Sequence, residues 1–338
     1  MVAASIAIGL LAAPALAADR SGVRPEVLSV PSGPGSILGL GVAFKPSHQT
    51  GSATYSVSIR VPPGVNGLVP SLSLNYSPGA SNSEVGLGWS LDFPFVQRST
   101  DRRLPAYDDS DVFVVRGMGG GGAEELVRMT DGSYRFRIEG AFVRAERRTD
   151  GTWVARNRSG NLFVFGEEET ATIRDGDRVF AWLLARQEDT FGNRIVYQHE
   201  RDETGRPYLA RIVYNDFGAA VRNEIRLTYE TRPDVLTSYL STFATRIARR
   251  LATIEVFHGG ELLLRYQLGY QDESGLSRLS SVQATGRDGK TALPPLTLAY
   301  VEPQPENATV VAIADAPARV LGETSELDDV DGDGLADL

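Results

Sequence analysis

Short segments in which polar and apolar residues alternate recur along most of this chain, and glycine-containing turns separate them. Residues 54–61 and 71–76 show the clearest alternation, and Asn66-Gly67 lies between them. Alternation with a period of two residues is typical of a β-strand that has one buried and one solvated face. Asn-Gly favours the positive-φ turn of a hairpin. The pattern therefore predicts antiparallel strands joined by short connections.

The same pattern predicts ten further strands. They cover residues 111–115, 133–138, 152–155, 161–165, 194–198, 209–214, 224–229, 251–257, 262–270 and 296–301. Only residues 179–186 and 238–248 are candidates for short helices. Because strands and helices do not alternate, a parallel α/β sheet is disfavoured. We predict an all-β fold of many short antiparallel strands and hairpins, forming a large sheet or sandwich-like shell module.

The composition of the chain argues against several classes of binding partner and site. The 338 residues carry a formal net charge of −9 and no cysteine. An acidic chain repels phosphate, which argues against binding to nucleic acid or to an anionic membrane. The absence of cysteine excludes disulfides and thiolate metal sites. Beyond residue 18 no stretch is long and apolar enough to span a bilayer, so we predict no integral membrane segment.

The N-terminus predicts export. Residues 3–18 are small and apolar, and Ala15-Leu16-Ala17 fits the small-x-small cleavage rule, although no basic residue precedes them. We interpret residues 1–18 as a signal peptide and predict a secreted, extracellular protein, with cell-surface association as a variant of that prediction. The alternative interpretation is a buried N-terminal helix.

Changes in composition divide the rest of the chain. Residues 19–47 are rich in proline and glycine and predict an extended leader, followed by a β domain over residues 48–301. Residues 302–325 predict a linker, and residues 326–338 form an acidic segment.

The acidic segment reads D-x-D-G-D-G-x-x-D, which predicts a calcium loop. Calcium takes six to eight oxygen ligands, and Gly332 and Gly334 allow the tight turn that such a loop needs. The predicted ligands are the carboxylates of Asp329, Asp331, Asp333 and Asp337 and the main-chain carbonyl of Leu335. The alternative is a solvated acidic tail. The Glu at position 12 of an EF-hand loop is absent.

Other motifs favour structural roles over catalysis. Residues 117–122 match G-x-G-x-x-G, but the following segment is too short for the helix of a dinucleotide site, so a hairpin tip is favoured. His48, His199 and His258 show no metal-ligand spacing, and surface or packing roles are favoured for them. In residues 86–89, two glycines before Trp89 predict a close backbone approach and a tryptophan that fills a core.

Several segments together resemble a known family. They include Val-Pro-Pro-Gly at residues 61–64, Gly-Leu-Gly-Trp-Ser-Leu at 86–91 and Tyr-Glu-Thr-Arg-Pro-Asp at 229–234. The others are residues 51–57, 70–77, 98–100, 105–108, 189–193 and 277–279. The set resembles the Salmonella virulence plasmid SpvB N-terminal family, which is shared with the B component (TcaC/TcdB-like) of insecticidal Tc toxin complexes. The acidic loop resembles an FG-GAP (VCBS-like) repeat, which in that family opens a β-propeller.

The resemblance implies a structural role. In Tc toxins this region contributes to a hollow β-sheet shell, continued by Rhs repeats, that encloses a toxic effector. It implies a non-enzymatic module of an exported toxin or virulence protein. The implied partners are a pore-forming A-type subunit and an Rhs C-type subunit, or this protein's own downstream Rhs region. The shell module would lead into the first blade of the propeller.

Two alternatives belong to other functional classes. One is a secreted or cell-surface Rhs-like adhesion or binding protein with a calcium-binding propeller. The other is the delivery domain of a polypeptide whose C-terminus is an enzyme, for example an ADP-ribosyltransferase. No residue of the chain matches a transferase motif, so any catalytic domain would lie beyond Leu338.

Overall fold

The computed structural model describes residues 45–46, 53–118, 122–216, 222–272 and 275–300. The predicted signal peptide, linker and calcium loop, and all of the leader except residues 45–46, lie outside the described residues. The chain divides into one compact unit over residues 1–297 and a second over residues 298–338.

The described residues form 22 strands and no α-helix, which confirms the all-β prediction. Two single 3₁₀ turns lie at Val65–Gly67 and Glu169–Ala171. The strands are β1 Lys45–Pro46, β2 Ala53–Ser58, β3 Ser73–Tyr76, β4 Asn82–Ser83, β5 Gly86–Leu87, β6 Trp89–Leu91, β7 Phe95–Arg98, β8 Phe113–Arg116, β9 Ala123–Arg128, β10 Tyr134–Phe136, β11 Arg144–Arg147, β12 Trp153–Arg156, β13 Leu162–Phe165, β14 Thr172–Asp175, β15 Arg178–Glu188, β16 Arg194–Arg201, β17 Pro207–Tyr214, β18 Asn223–Ser238, β19 Thr245–His258, β20 Glu261–Gln271, β21 Arg278–Gly286 and β22 Leu296–Thr297.

Eight strands close into a barrel. β7 to β13 pair in chain order, each antiparallel to the next. β15 then closes the ring, because its N-terminal half pairs with β7 (Trp182 opposite Val96) and its C-terminal half pairs with β13 (Arg186 opposite Val164). Closure leaves no unpaired edge in the ring, which removes a template for aggregation.

The core of the barrel is aromatic. Phe113 and Tyr134 each lie 4.9 Å from Trp153 between ring centroids, in edge-to-face geometry. Trp182 joins them at 6.1 Å from Trp153. Such pairs add about 0.5–1.5 kcal/mol each beyond the burial of their area. The cluster therefore links strands β8, β10, β12 and β15 through one shared interior.

An open sheet continues from the same strand. β16 pairs with the C-terminal half of β15, and β17 to β22 follow in chain order, all antiparallel. β15 is therefore the junction strand, shared by the barrel and by the open sheet. One face of the open sheet is fully buried and carries Ile212, Ile225, Ile254 and Val256, each with no exposed area.

The N-terminal strands cover that buried face. β1, β2, β3 and β6 form a small antiparallel sheet in which Val57, Leu74 and Trp89 are almost fully buried. Two contacts fix it to the open sheet: the Arg60 amide donates to the Tyr266 hydroxyl at 2.9 Å, and the Tyr214 hydroxyl donates to the Pro62 carbonyl at 2.7 Å. The predicted role of Trp89 as a core residue is confirmed.

The two predicted helices are wrong. Residues 179–186 lie in β15, and residues 238–248 span the hairpin end between β18 and β19 and the first part of β19. Alanine, leucine and arginine favour helix locally, but β15 has pairing partners on both of its edges, and those long-range hydrogen bonds outweigh the weak local preference. No helix among the described residues is both long and apolar enough to cross a membrane.

Candidate functional site

The predicted metal ligands Asp329, Asp331, Asp333, Leu335 and Asp337 lie outside the described residues. Within the described ranges, no group of three or more histidines, aspartates and glutamates is arranged to hold a metal ion. Calcium therefore remains a prediction from the sequence.

The uncovered face of the open sheet is polar. One row of directly paired residues crosses six strands on this face, and we call it the polar row. It consists of Gln198, Arg211, Arg226, Glu255, Arg265 and Thr285. All six side chains are partly or fully exposed, whereas residues of the opposite parity are buried. The open sheet thus presents a charged surface on one side and an apolar surface on the other.

Glu224 organises the charges beside the polar row. Arg211 and Arg226 are like-charged neighbours across β17 and β18, and both donate to the Glu224 carboxylate, at 2.7 and 2.5 Å. Arg222 adds a third contact at 3.2 Å. Burial alone would raise the pKa of Glu224, but the bonds and charges of Arg211 and Arg226 outweigh burial and lower it to about 2. The carboxylate is therefore ionised at neutral pH and offsets the repulsion between the arginines.

A second cluster, centred on the buried guanidinium of Arg232, joins distant segments of the chain. We call it the Arg232 cluster: Asn82, Ser83, Arg232, Asp234 and Ser277. The Arg232 guanidinium donates to both carboxylate oxygens of Asp234, at 3.0 and 2.9 Å, and to the Ser83 carbonyl and Asn82 amide oxygen. The Ser277 amide donates to Asp234 at 2.8 Å. The cluster ties β4 to β18 and to the start of β21.

The geometry of the Arg232 cluster follows from its sequence. Pro233 cannot donate a ladder hydrogen bond, and the register of β18 against β19 shifts between Thr231 and Leu236. This bulge directs Arg232 and Asp234 away from the ladder. Burial would raise the pKa of Asp234, but hydrogen bonds from Arg232 and Ser277 outweigh burial and hold that pKa well below its usual range.

Gly86 allows the backbone of β5 to approach Ser277 of the Arg232 cluster closely. Its φ is +104°, and a Cβ built there would lie 2.7 Å from the Ser277 carbonyl oxygen. The next amide, of Leu87, donates to that same oxygen at 2.9 Å. The close backbone approach predicted for residues 86–89 is therefore confirmed, and its partner is the segment that begins at Ser277.

A third cluster lies at one end of the barrel. Arg98 is buried, forms an ion pair with Asp111 and donates to the Val179 carbonyl at 2.9 Å. Asp111 also accepts from the Ala106 and Tyr107 amides, at 2.8 Å each. The segments at residues 98–100 and 105–108 thus meet at one buried ion pair.

The sequence singled out several of these residues but did not predict which of them are in contact. Residues 229–234 were recognised as part of the family resemblance and residues 224–229 were placed in a strand, and the structure places both within β18. Neither the polar row nor the contacts of Glu224 with the arginines beside it were identified. The available signal was the placement of charged residues at the solvated positions of alternating strands, as in Asn223-Glu224-Ile225-Arg226.

The remaining motifs have simple placements. Strands β8 and β9, which precede and follow residues 117–122 in the chain, pair antiparallel, and residues 119–121 of that motif lie outside the described residues. His258 ends β19 and is exposed, whereas His199 lies near the end of β16 and is buried. His48 lies outside the described residues.

The chain was compared with known families and structures. Residues 47–217 match the family model described as Salmonella virulence plasmid 65kDa B protein. Among curated proteins, Mono(ADP-ribosyl)transferase SpvB of Salmonella choleraesuis (strain SC-B67) is 26% identical over 248 residues, or 65% of this chain. The alignment covers 42% of that relative, so this chain spans less than half of its length.

Two solved structures show the same fold. The crystal structure of TcdB2-TccC3 has a TM-score of 0.69 at 24% identity and covers 82% of this chain and 18% of its own. The structure of the N-terminal domain of effector protein SpvB from Salmonella typhimurium strain LT2 has a TM-score of 0.58 at 21% identity. It covers 68% of this chain and 98% of its own. With the family match over residues 47–217, these likenesses identify the chain as a member of the SpvB family.

Proposed function

We propose that this protein is a non-enzymatic structural module of an exported bacterial toxin or virulence protein. Its sheet forms part of the wall of a shell that encloses or delivers an effector. The observation that carries the proposal is the unbroken antiparallel sheet from the barrel through β22, with one covered apolar face and one polar face.

The paired strand edges and the polar face of this sheet suit it to the wall of a shell. A wall that encloses a folded or unfolded polypeptide has to avoid pairing with it through free strand edges. Barrel closure at one end and in-order pairing along β16 to β21 satisfy most of the backbone donors and acceptors within the sheet. The polar row gives the wall a hydrated surface, to which an enclosed apolar segment would not adhere.

The proposed partners follow from the relatives. Several of the structural neighbours contain TcdB2 and TccC3, and one of these also contains Cdc42. By analogy, this chain joins an Rhs C-type subunit or its own downstream Rhs region, and docks to a pore-forming A-type component. The transferase activity named for the curated relatives belongs to those proteins.

Export is part of the proposal. The apolar residues 3–18 and the small-x-small site at Ala15 to Ala17 support a signal peptide and an extracellular location. Edman sequencing of the secreted natural protein tests this directly. A mature N-terminus at Ala18 or Asp19 is expected, and retention of Met1 would contradict it.

Electron cryomicroscopy of the full-length natural protein, purified with the partner chains encoded beside it, tests the shell. We expect a hollow particle whose wall contains the barrel and the open sheet, with the polar row facing the enclosed volume. A particle without an enclosed volume, or one in which this sheet projects freely into solvent, would contradict the proposal.

Calcium is a separate proposal for the acidic loop. The carboxylates of Asp329, Asp331, Asp333 and Asp337 and the carbonyl of Leu335 would supply the hard oxygen ligands that calcium prefers. Calcium should then raise the melting temperature of the full-length protein more than magnesium does, and Asp331→Asn should abolish the difference. Asp177→Asn, at a fully exposed aspartate of the barrel region, is the control and should leave it intact. Equal melting with and without calcium would end the metal proposal.

A further inference from the structure

Three arginines surround one carboxylate on the polar face of the open sheet. We call Arg211, Arg222 and Arg226 the arginine triad. Arg211 donates to both carboxylate oxygens of Glu224, from Nε at 2.7 Å and from Nη2 at 2.8 Å. Arg226 and Arg222 donate to the same carboxylate at 2.5 and 3.2 Å. The Glu224 side chain is 5% exposed, whereas those of the triad are 33–50% exposed, so the arginines form the surface above the carboxylate.

The arginine triad carries more positive charge than Glu224 neutralises. Three guanidinium groups share one carboxylate, which leaves a local surplus of two positive charges. Like charges held this close repel one another, and a further anion relieves the repulsion. Residues 1–300, which include this face, are neutral overall, because the ten acidic residues and one arginine of residues 301–338 account for the whole net charge of −9.

The neighbouring carboxylates do not remove this surplus. Glu255 lies opposite Arg226 in the sheet, but its carboxylate accepts a hydrogen bond from Arg265 at 2.7 Å. The charge of Asp216 acts on Arg211, but no ion pair joins these two residues within the part of the chain that the structure describes. The triad therefore remains the positive end of this local charge distribution.

The arginine triad also has N–H donors to offer. Arg226 uses only Nε and Arg222 only Nη2 in their hydrogen bonds to Glu224, and their other guanidinium nitrogens have no protein acceptor among the described residues. The Arg226 guanidinium lies 4.3 Å above the Phe257 ring, which restricts its position. Guanidinium groups held in this way match the planar pair of oxygens of a carboxylate.

We propose that the arginine triad binds the side-chain carboxylates of an acidic polypeptide segment. The free N–H donors of Arg222 and Arg226 hydrogen-bond to the carboxylates, and the surplus charge of the triad attracts them. In the shell proposed above, this segment belongs to the enclosed polypeptide. That identity rests on the proposed function, whereas the recognition of carboxylates does not.

Two features favour a polypeptide over a nucleic acid. Single-stranded nucleic acids stack their bases on open aromatic faces, and one face of the Phe257 ring beside the triad is covered by Arg226. Affinity for nucleic acid also grows with the number of phosphates that a protein neutralises, and a surplus of two charges neutralises few of them. A segment with a few closely spaced carboxylates matches the triad better.

Isothermal titration calorimetry on the 338-residue chain tests the site. The probes, at neutral pH and low ionic strength, are a hexaglutamate peptide, a hexaglutamine peptide and heptathymidylate, which matches hexaglutamate in its number of side-chain or backbone anions. We expect saturable binding of hexaglutamate that weakens as sodium chloride is added, weaker binding of heptathymidylate and none of hexaglutamine. Absence of saturable hexaglutamate binding, or tighter binding of heptathymidylate, would overturn the proposal.

Arg222→Gln tests whether the peptide binds at the triad. Glu224 keeps two arginine partners in this variant, so the fold should persist. Hexaglutamate should bind about fivefold more weakly, as expected for the loss of one exposed ion pair. The matched control is Arg194→Gln, which removes an equal charge from an exposed arginine paired with Glu188 and should leave the affinity unchanged. Unchanged binding in Arg222→Gln, or equal weakening in both variants, would overturn the assignment.

Chemical modification of the wild type gives a readout without mutation. Hydroxyphenylglyoxal reacts with accessible arginine side chains, and mass spectrometry of peptides locates the modified residues. Hexaglutamate should slow the modification of Arg222 and Arg226 but not that of Arg194. Equal protection of all three would contradict a site at the triad. A failure of the shell proposal would remove the enclosed polypeptide as the source of the segment, but it would leave these binding measurements unchanged.

Discussion

The barrel and the open sheet share strand β15 but bury their apolar surface in different ways. The barrel strands β7 to β13 have three to six residues each, and closure of the ring encloses the aromatic cluster. Strands β17 to β21 of the open sheet have 8 to 16 residues and leave one apolar face that needs a cover. The N-terminal strands supply that cover, from a part of the chain that precedes the barrel.

This difference indicates which interactions stabilise each region. In the barrel, hairpin neighbours pair in chain order, and the interior is filled by side chains within residues 95–188. In the open sheet, the cover is held by the Arg232 cluster, in which Asn82 contacts Asp234, 152 residues later. Both regions combine packing with a buried ion pair, Arg98–Asp111 in the barrel and Arg232–Asp234 at the cover, but the Arg232 cluster also joins segments 152 residues apart.

Trp153→Ala tests the packing of the barrel and has the largest expected effect. Trp153 has no exposed area and contacts Phe113, Tyr134 and Trp182. Removal of a buried indole should lower the free energy of unfolding by about 3–5 kcal/mol, measured by urea denaturation. Phe191→Ala, at a side chain that is 79% exposed in a turn, should change it by less than about 0.5 kcal/mol.

Hydrogen exchange on Trp153→Ala sharpens the comparison. Protection should fall first in the barrel strands, while the amides of β18 to β20 keep most of theirs. Uniform loss of protection in both regions would show that the barrel and the open sheet unfold as one unit.

Arg232→Ala tests the cover of the open sheet. It leaves the Asp234 carboxylate buried with only neutral partners, Asn82 and Ser277. Breaking a buried ion pair costs about 3–5 kcal/mol, and we expect about 3 kcal/mol because those two partners remain. Urea denaturation measures the cost.

The matched control is Arg265→Ala, on the exposed polar row. Its ion pair with Glu255 is partly solvated, so the change should cost less than about 1 kcal/mol. In hydrogen exchange, Arg232→Ala should expose β4 to β6 and leave the barrel protected. A greater loss in the barrel than in the N-terminal strands would reverse the comparison.

The pH dependence of the free energy of unfolding, compared between the wild type and His199→Leu, tests whether His199 is buried at the junction of the barrel and the open sheet. An unfolded histidine takes up a proton below about pH 6.5, whereas burial holds the folded pKa at about 3. The unfolded state thus binds more protons between these values, and wild-type stability should fall as pH falls. The loss between pH 7 and pH 5 should be about 2 kcal/mol greater than in His199→Leu. His199 lines a cavity at the junction of the barrel and the open sheet. The titratable and charged residues that line it beside His199, which are present in both proteins, are Glu84, Arg206, Tyr208 and Tyr229.

Urea denaturation at several pH values measures this difference. His258→Leu removes an exposed histidine that hydrogen-bonds to the buried Asn223, and this control should lose overall stability but keep the wild-type dependence on pH. Parallel curves for the wild type and His199→Leu would mean that His199 is accessible to protons in the folded state.

The smallest expected effect is the difference between Gly86→Ala and Gly151→Ala, about 1–2 kcal/mol, and this matched pair isolates its cause. Gly86 and Gly151 both have positive φ, +104° and +86°, so alanine strains the backbone at either site. Only at Gly86 does the new Cβ meet backbone, at 2.7 Å from the Ser277 carbonyl, while Gly151 has open space. We expect about 1 kcal/mol at Gly151 and about 2–3 kcal/mol at Gly86. Equal losses in thermal denaturation would exclude a special role for the approach to Ser277.

Much of the strand order could be predicted because its signals are local. Glycine-containing turns between strands were predicted in general, and those at Asp131-Gly132, Asp150-Gly151 and Ser159-Gly160 lie between paired antiparallel strands. The alternation around Ile225 identified a half-buried strand. Strands β1, β4 to β7, β9, β11, β14, β15 and β21 were not predicted. β9 and β11 are charged, with segments such as Arg144-Ala145-Glu146-Arg147, and their pairing partners rather than their composition hold them in the sheet.

The sites could not be predicted to the same degree. The segments at residues 86–91, 229–234 and 277–279 were each recognised, but nothing in a single sequence indicates that Gly86, Asp234 and Ser277 meet. His199 was assigned a packing or surface role, and the sequence carries no signal that its nitrogens lack partners beside a cavity. Contacts over such separations depend on the register of several strands at once.

The sequence by itself determined the class of the fold and the sidedness of its strands, because a period of two residues and glycine turns act over only a few residues. The tertiary structure alone decided that β15 pairs on both edges. This pairing closes the barrel and starts the open sheet, and a cavity lined in part by His199 lies between the two. Closure and cavity depend on hydrogen bonds between strands distant in the chain, and no local pattern encodes which distant strands will pair.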